Sequence, residues 1–541
     1  MPEKMPITPP DKDATSKRTA DETTEAKAQG ASHEAGKVPA STTAAWRPII
    51  NEPVVVRRVS RRNSFKRITS NGTIAAAAMV FGAILAVVVA NSPAYFVVRE
   101  LIEAPLGIQI GSFFSEISFE GFVNDFLMAL FFLLVGVELK YEMTVGQLRD
   151  PRQAALPMLA AVGGVMVPAI IYSAVNWGGA VHGWAVPIAT DIAFALGMMS
   201  LLGDRVAPAT KVFFSTLAIA DDILAIIVIA VFYGNTPDIA WVAASAGAAL
   251  VLFCLNWGHV YRARHYMVWG LVLWVCMYNS GIHATLAGVI VAFALPARTD
   301  IKVSSLSSWL QRQAKVLDET YDEDSLVLGQ HEVTSKAFEM ESVMHHVTPP
   351  LQRVERSMSV FVNFIVLPLF AFVNAQVRLV GVDMGAVLSN PVAIGAYAGA
   401  VLGKPIGIIG VTWLLIRIGF SKLPRGVSWD QIVVVGIMGG IGFTMSILIS
   451  GLAFTSAEDI LAAKCAILAG SVTSSLLGMA FMAIAHEAKA RRKAKGNAKA
   501  KGAAASGEPG VVAAAEGDGG EADAKGGKAA KTHRRVVKRK Q

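Results

Sequence analysis

Apolar and polar positions along this chain are segregated rather than mixed. From about Gly72 onward, apolar runs of roughly 20 residues alternate with short polar connections, the length a helix needs to cross a hydrocarbon layer. Twelve such spans are predicted, centred near 81, 129, 164, 193, 221, 247, 272, 289, 368, 405, 441 and 473. The fold class that follows is an all-α polytopic membrane protein with twelve transmembrane helices. The fourth run is interrupted by Gly and Pro and the eleventh by clustered Gly with Thr and Ser, so unbroken helices are not expected there. Residues 1–68 are rich in Lys, Glu, Ala, Thr and Pro and are expected to form a disordered basic tail. The twelve-span body occupies 69–487, and 488–541 is a low-complexity tail of Ala, Gly, Lys and Glu. Within the body, the segment 298–356 is a long charged loop with weak helical periodicity around Leu306–Leu317, expected as a cytoplasmic amphipathic element.

Composition agrees with this division. The chain has 541 residues, of which 53% are hydrophobic and only 17% charged. The net charge of +8 is concentrated near the tails, which suggests membrane orientation and contact with anionic lipid heads rather than nucleic-acid binding. The cluster Val56–Arg67 reads as a topology anchor beside the first span. Loops after even-numbered spans carry Lys140, Arg149 and Arg152, then Arg205 and Lys211, then Arg262 and Arg264, then Arg417, Lys422 and Arg425. The opposite loops carry little beyond Arg99 and Arg378, with Glu100, Glu103, Glu116 and Asp238 among them. That alternation places both termini in the cytoplasm. Cys254, Cys276 and Cys465 fall in apolar stretches and are expected as small buried hydrophobes. No cleavable signal peptide is expected, because the first apolar run follows a long polar segment.

The polar residues at membrane depth carry the chemistry. Asp221 and Asp222 sit in Leu217–Ala230, at the middle of a run from about Ala209 to Gly234. Each is ~18 Å from either end along the helix axis, too deep for an Asp side chain to reach water. An ionised carboxylate there costs several kcal/mol unless a cavity, a counter-charge or a cation compensates it. Lys404, in Gly403-Lys404-Pro405, lies ~20 Å from either end of its own run and cannot snorkel. It is the counter-charge expected for one of Asp191, Asp221 or Asp222. Asp191 follows Thr190 in a run flanked by Gly183, Pro187 and Gly197. A helix broken near Thr190 would expose half-helix ends, and a positive N-terminal end favours an Asp. Gly439-Gly440-Ile441-Gly442-Phe443-Thr444-Met445-Ser446 weakens the eleventh run at mid-depth. A pair of interrupted segments in two halves of a chain points to a transport site. Asp125 lies on the outer half of the second run, where it either lines an access funnel or sits at the interface.

Adjacent helical residues point ~100° apart, so Asp221 and Asp222 cannot face one ligand symmetrically. One can face a cavity while the other faces a neighbouring helix and its Lys. A cavity carboxylate holds either a cation or a proton on the same oxygens. That yields cation/proton exchange with no catalytic step, no resident cofactor and no catalytic residue.

Several motifs in order resemble the NhaA-type sodium/proton antiporters over roughly residues 70–485. They are Phe131–Glu138, Ala189–Gly197, Leu217–Asp222, Ile282–Val289, Leu367–Ala375, Gly403–Gly407 and Gly440–Ser446. The resemblance implies inverted-topology repeats, with spans 4 and 11 interrupted and crossing. It implies a bacterial inner-membrane protein exporting sodium or lithium in electrogenic exchange for protons and activated at alkaline pH. Asp222 would be the main ligand for the transported ion, and Asp221 would share the cavity and pair with Lys404. Asp191 would balance half-helix N-termini beside Thr190, and Lys404 the facing C-terminal ends. Glu138, Glu142, Glu355 and His283 fall where access or pH sensing is expected. Two positions depart from the pattern: Tyr141 stands where an Arg is familiar, and Arg356 and Ser359 follow Glu355 where histidines can occur. A homodimer is compatible with the pattern. The rival readings are a sodium-coupled solute symporter, which gives Lys404 no role, and an intramembrane aspartyl protease. The protease needs two acids approaching from different helices, which an adjacent pair does not supply.

Overall fold

A computed structural model describes residues 72–505, apart from 111–112, 150, 235, 300–302 and 323. The basic cluster Val56–Arg67 and the residues beyond 505 lie outside the described residues. The chain divides into two compact units, one ending at Met482 and one beginning at Ala483. The functional site described below lies in the first.

Ten described helical segments are long and apolar enough to cross a membrane: Gly72–Ala90, Phe119–Thr144, Ala154–Val175, Val181–Leu201, Pro208–Phe232, Ile239–Trp257, Pro350–Asn374, Pro391–Arg417, Trp429–Ala453 and Ala457–Lys489. The spans expected near 272 and 289 are the Ala263–Ser280 and Leu286–Ala294 helices. The first carries Arg264, His265 and Asn279, and the second has only 9 residues, ~14 Å of rise. Among the described residues, strands occur in one antiparallel hairpin, β1 Pro105–Ile110 with β2 Phe113–Ser118, Pro105 opposite Ser118. Its sequence alternates at Leu106, Ile108 and Ile110, the period of a strand. The internal charged loop contains the helices Val303–Thr320 and His331–Val347, and the next span already begins at Pro350.

Helix starts follow local chemistry. Asp238 caps Ile239–Trp257 by accepting from the Ala240 N–H at 2.8 Å, and Asn390 caps the helix at Pro391 by accepting from Val392 N–H at 2.8 Å. Three stretches are widened into π-turns: Phe122–Leu127, Val362–Val366 and Gly399–Gly403. Pro368 and Pro405 follow two of them, and each removes a backbone donor, so the ladder is already broken there.

Trp429–Ala453 is the most enclosed of the ten long segments and Ile239–Trp257 the least. The Pro391–Arg417 helix lies tightly along Ala154–Val175. A Cβ on Gly407 would stand 2.1 Å from the Gly163 carbonyl oxygen, so only glycine admits that approach. This contact seats Lys404 deep in the interior.

Candidate functional site

The Asp pair sits at the centre of the unbroken Pro208–Phe232 helix, and both residues are buried. Opposite them the backbone is irregular in two places. Val181–Leu201 is a 3-10 helix to Ile188 and an α-helix from Ile192, with 189–191 non-helical. Trp429–Ala453 is likewise broken at 440–442. Each break exposes donors and acceptors that a continuous helix would consume.

The two breaks satisfy each other. The Asp191 N–H donates to the Ile441 carbonyl at 2.7 Å. Thr190 Oγ1 donates to the Gly439 carbonyl at 3.0 Å, at the C-terminal end of one half-helix. Asp191 Oδ1 accepts from the Phe194 N–H at 3.0 Å. Its Oδ2 accepts from the Thr444 N–H at 3.2 Å and the Thr444 hydroxyl at 2.7 Å. One carboxylate therefore meets the N-terminal N–H groups of both Ile192–Leu201 and Phe443–Ala453, where the helix dipoles favour negative charge. The chains pass close: a Cβ on Gly442 would stand 2.7 Å from the Ala189 carbonyl oxygen.

Lys404 joins this junction to the Asp pair. It is 0% exposed, so its ammonium depends wholly on protein partners. Its Nζ donates to Asp221 Oδ2 at 2.5 Å and to Thr190 Oγ1 at 2.9 Å. Asp222 has no such anchor: its buried Oδ1 has no hydrogen-bond partner, and neither has Asp221 Oδ1. The charges acting on Asp222 are those of Asp221, Asp191, Lys404 and Glu138. No group of three His, Cys, Asp or Glu suited to a resident metal occurs among the described residues.

The outlying candidates fall at two opposite ends of one helix pair. Tyr141 near the end of Phe119–Thr144, and Glu355 near the start of Pro350–Asn374, line a cavity of about 710 Å³. Glu341, Met344 and Thr348 from the charged loop line it too. Glu138 feels the charges of Glu142 and Glu355 at that end. At the other end Asp125 and His283 line a cavity of about 390 Å³. There Asn374 Nδ2 donates to Asn124 Oδ1 at 2.6 Å, and His283 Nε2 lies 2.7 Å from the Tyr233 carbonyl.

Sequence reasoning overlooked Thr444 as a partner of Asp191, although its glycine-rich motif marked the place. It also overlooked the Asn124–Asn374 bond and the contacts of Lys140, read only as a loop charge, whose Nζ donates to the Phe293 carbonyl at 2.6 Å and the Leu295 carbonyl at 2.5 Å. A lysine on the last carbonyls of a helix is favourable on dipole grounds, and the short Leu286–Ala294 helix ends there.

A many-span helical protein with broken segments around buried charges is a membrane transporter by architecture. Comparison with known proteins makes this specific. Residues 66–482 match the family model described as Na+/H+ antiporter 1, and the chain belongs to that family. It is 40% identical over 418 residues to Na(+)/H(+) antiporter NhaA 1 of Saccharophagus degradans, covering 76% of this chain and 90% of that protein. It is 42% identical over 363 residues to Na(+)/H(+) antiporter NhaA of Oleidesulfovibrio alaskensis, covering 67% and 80%. Among solved structures, the sodium proton antiporter MjNhaP1 of Methanocaldococcus jannaschii at pH 8 matches with a TM-score of 0.41 and 12% identity, over 74% of this chain and 89% of that one.

Proposed function

We propose that this protein exports sodium, or lithium, in electrogenic exchange for a larger number of protons, by alternating access to Asp222. The observation that carries this reading is the contrast within the Asp pair. Each keeps one buried oxygen that no protein donor fills, but Lys404 occupies the other oxygen of Asp221, whereas Asp222 receives no hydrogen bond among the described residues. A buried carboxylate so placed needs a partner. A proton supplies one and a sodium ion supplies another, and both compete for the same oxygens. Binding one expels the other, so raising the pH favours the cation.

In this reading the chain crosses the membrane twelve times, with Ala263–Ser280 and the Leu286–Ala294 region completing the count. Both ends are cytoplasmic, in a bacterial inner membrane. The broken segments are spans 4 and 11 of an inverted pair of repeats, crossing at mid-depth. Asp191 and Lys404 hold the opposite half-helix ends, and the junction supports rocking without exposing unpaired backbone. The large cavity beside Glu138, Glu142 and Glu355 is the cytoplasmic mouth, and the cavity at Asp125 is the external one.

Everted membrane vesicles loaded with a ΔpH probe test the exchange. Sodium or lithium added at alkaline pH dissipates an imposed proton gradient, and the response grows with pH. Well-expressed protein that gives no cation-dependent proton movement from neutral to alkaline pH would overturn the assignment.

A further inference from the structure

The cavity at the Asp125 end contains a charge that the exchange site does not use. Glu120, Asn124, Asp125, His283, Asn374 and Lys464 line it. Leu448 and Gly451 continue its wall along the Phe443–Ala453 half-helix, whose first turn holds Thr444 against Asp191. The cavity therefore leads from one end of the membrane body toward the buried junction. Lys464 lies seven residues into the helix that starts at Ala457, ~10 Å along its axis. It is half-buried, and among the described residues it makes no ion pair or hydrogen bond. The charged groups facing the same space are Glu120, Asp125 and His283; Arg99 stands 3.7 Å from Glu120, and the charges of both Glu120 and Arg99 act on Lys464. An ammonium that shares a cavity with two carboxylates but closes on neither is a tethered competitor for whatever cation those carboxylates attract.

We infer that Lys464 sets the cation affinity of this end of the transporter, opposing sodium re-entry and favouring discharge. The inference rests on the exchange reading above. A unit charge ~8 Å from a bound cation, across an effective dielectric of ~40, changes affinity about fivefold. Among the described residues no lysine lines the opposite cavity, whose lining holds two arginines, Arg353 and Arg356, and two acids, Glu341 and Glu355. The effect therefore belongs to one face.

The test compares the apparent sodium KM from each face, using everted vesicles and right-side-out vesicles of the full chain. Lys464→Gln is expected to lower KM at the Asp125 face about fivefold and leave the opposite face within about twofold. Lys464→Arg keeps the charge and is expected to match the parent protein. Should Lys464→Gln fail to accumulate, Glu120→Gln carries the test: removing that acid is expected to raise KM at the same face only. Unchanged KM at the Asp125 face, or equal shifts at both faces, overturns the role of Lys464. Loss of exchange in the parent protein instead overturns the reading on which it rests.

Discussion

Asp191 and Asp222 are both buried carboxylates in one cluster, yet the chain completes one and leaves the other open. Around Asp191 each oxygen is filled: Phe194 N–H on one, the Thr444 N–H and hydroxyl on the other. On the Pro208–Phe232 helix, Asp221 and Asp222 each retain one bare buried oxygen, but Asp221 shares a 2.5 Å contact with Lys404 and Asp222 has no such partner. The first arrangement suits an element of architecture, because a carboxylate with several fixed donors has nothing left to exchange. The second suits a seat for a mobile ion. Burial alone therefore does not separate these carboxylates; what separates them is that Asp191 and Asp221 each hold a donor while Asp222 holds none among the described residues.

The comparison can be broken most severely at Asp222. Asp222→Asn removes the exchangeable charge and is expected to reduce vesicle exchange to background, with insertion and melting temperature unchanged. Asp191→Asn strikes the architectural side, so lost stability is expected to accompany lost activity, measured by thermal melting in detergent.

Lys404→Ala is next in size. It strands Asp221 without a partner and is expected to cost about 3–5 kcal/mol of stability together with exchange. Adding Asp221→Asn to Lys404→Ala is expected to recover much of the stability but not the exchange. A double variant no more stable than the single one would show that the Lys404–Asp221 contact is not what Lys404→Ala disrupts. Thr444→Val is smaller. It deletes one hydrogen bond to the Asp191 carboxylate and is expected to cost about 1.5–3 kcal/mol while sodium affinity is retained. Ser at the same position is expected to restore the loss.

Much of the buried polar cluster was legible in the sequence. Asp221, Asp222 and Lys404 each lie too far from a span end to reach water, so compensation had to be internal. The 100° step between neighbours already required the two Asp residues to differ. Which one meets the lysine was not legible from residue spacing, because that depends on how the Pro208–Phe232 and Pro391–Arg417 helices are rotated against each other. The bond from Thr444 to Asp191 spans 253 positions and leaves no local pattern. The hairpin at Pro105–Ser118 was missed because two six-residue strands make a weak periodic signal between long apolar runs. The stretch near 289 is apolar to Leu295, yet its helix starts only at Leu286. Gly281 takes a left-handed backbone, φ 79°, and ends the preceding helix there.

Sodium-dependent stabilisation of the purified protein tests the central claim most directly. A ligand that binds only the folded state raises the melting temperature in proportion to its occupancy. At alkaline pH, sodium is expected to raise the melting temperature of the parent protein and of Thr444→Val, and to leave Asp222→Asn unmoved. A sodium-dependent rise in Asp222→Asn with the parent's half-saturation would contradict the account, because the ion would then be seated elsewhere.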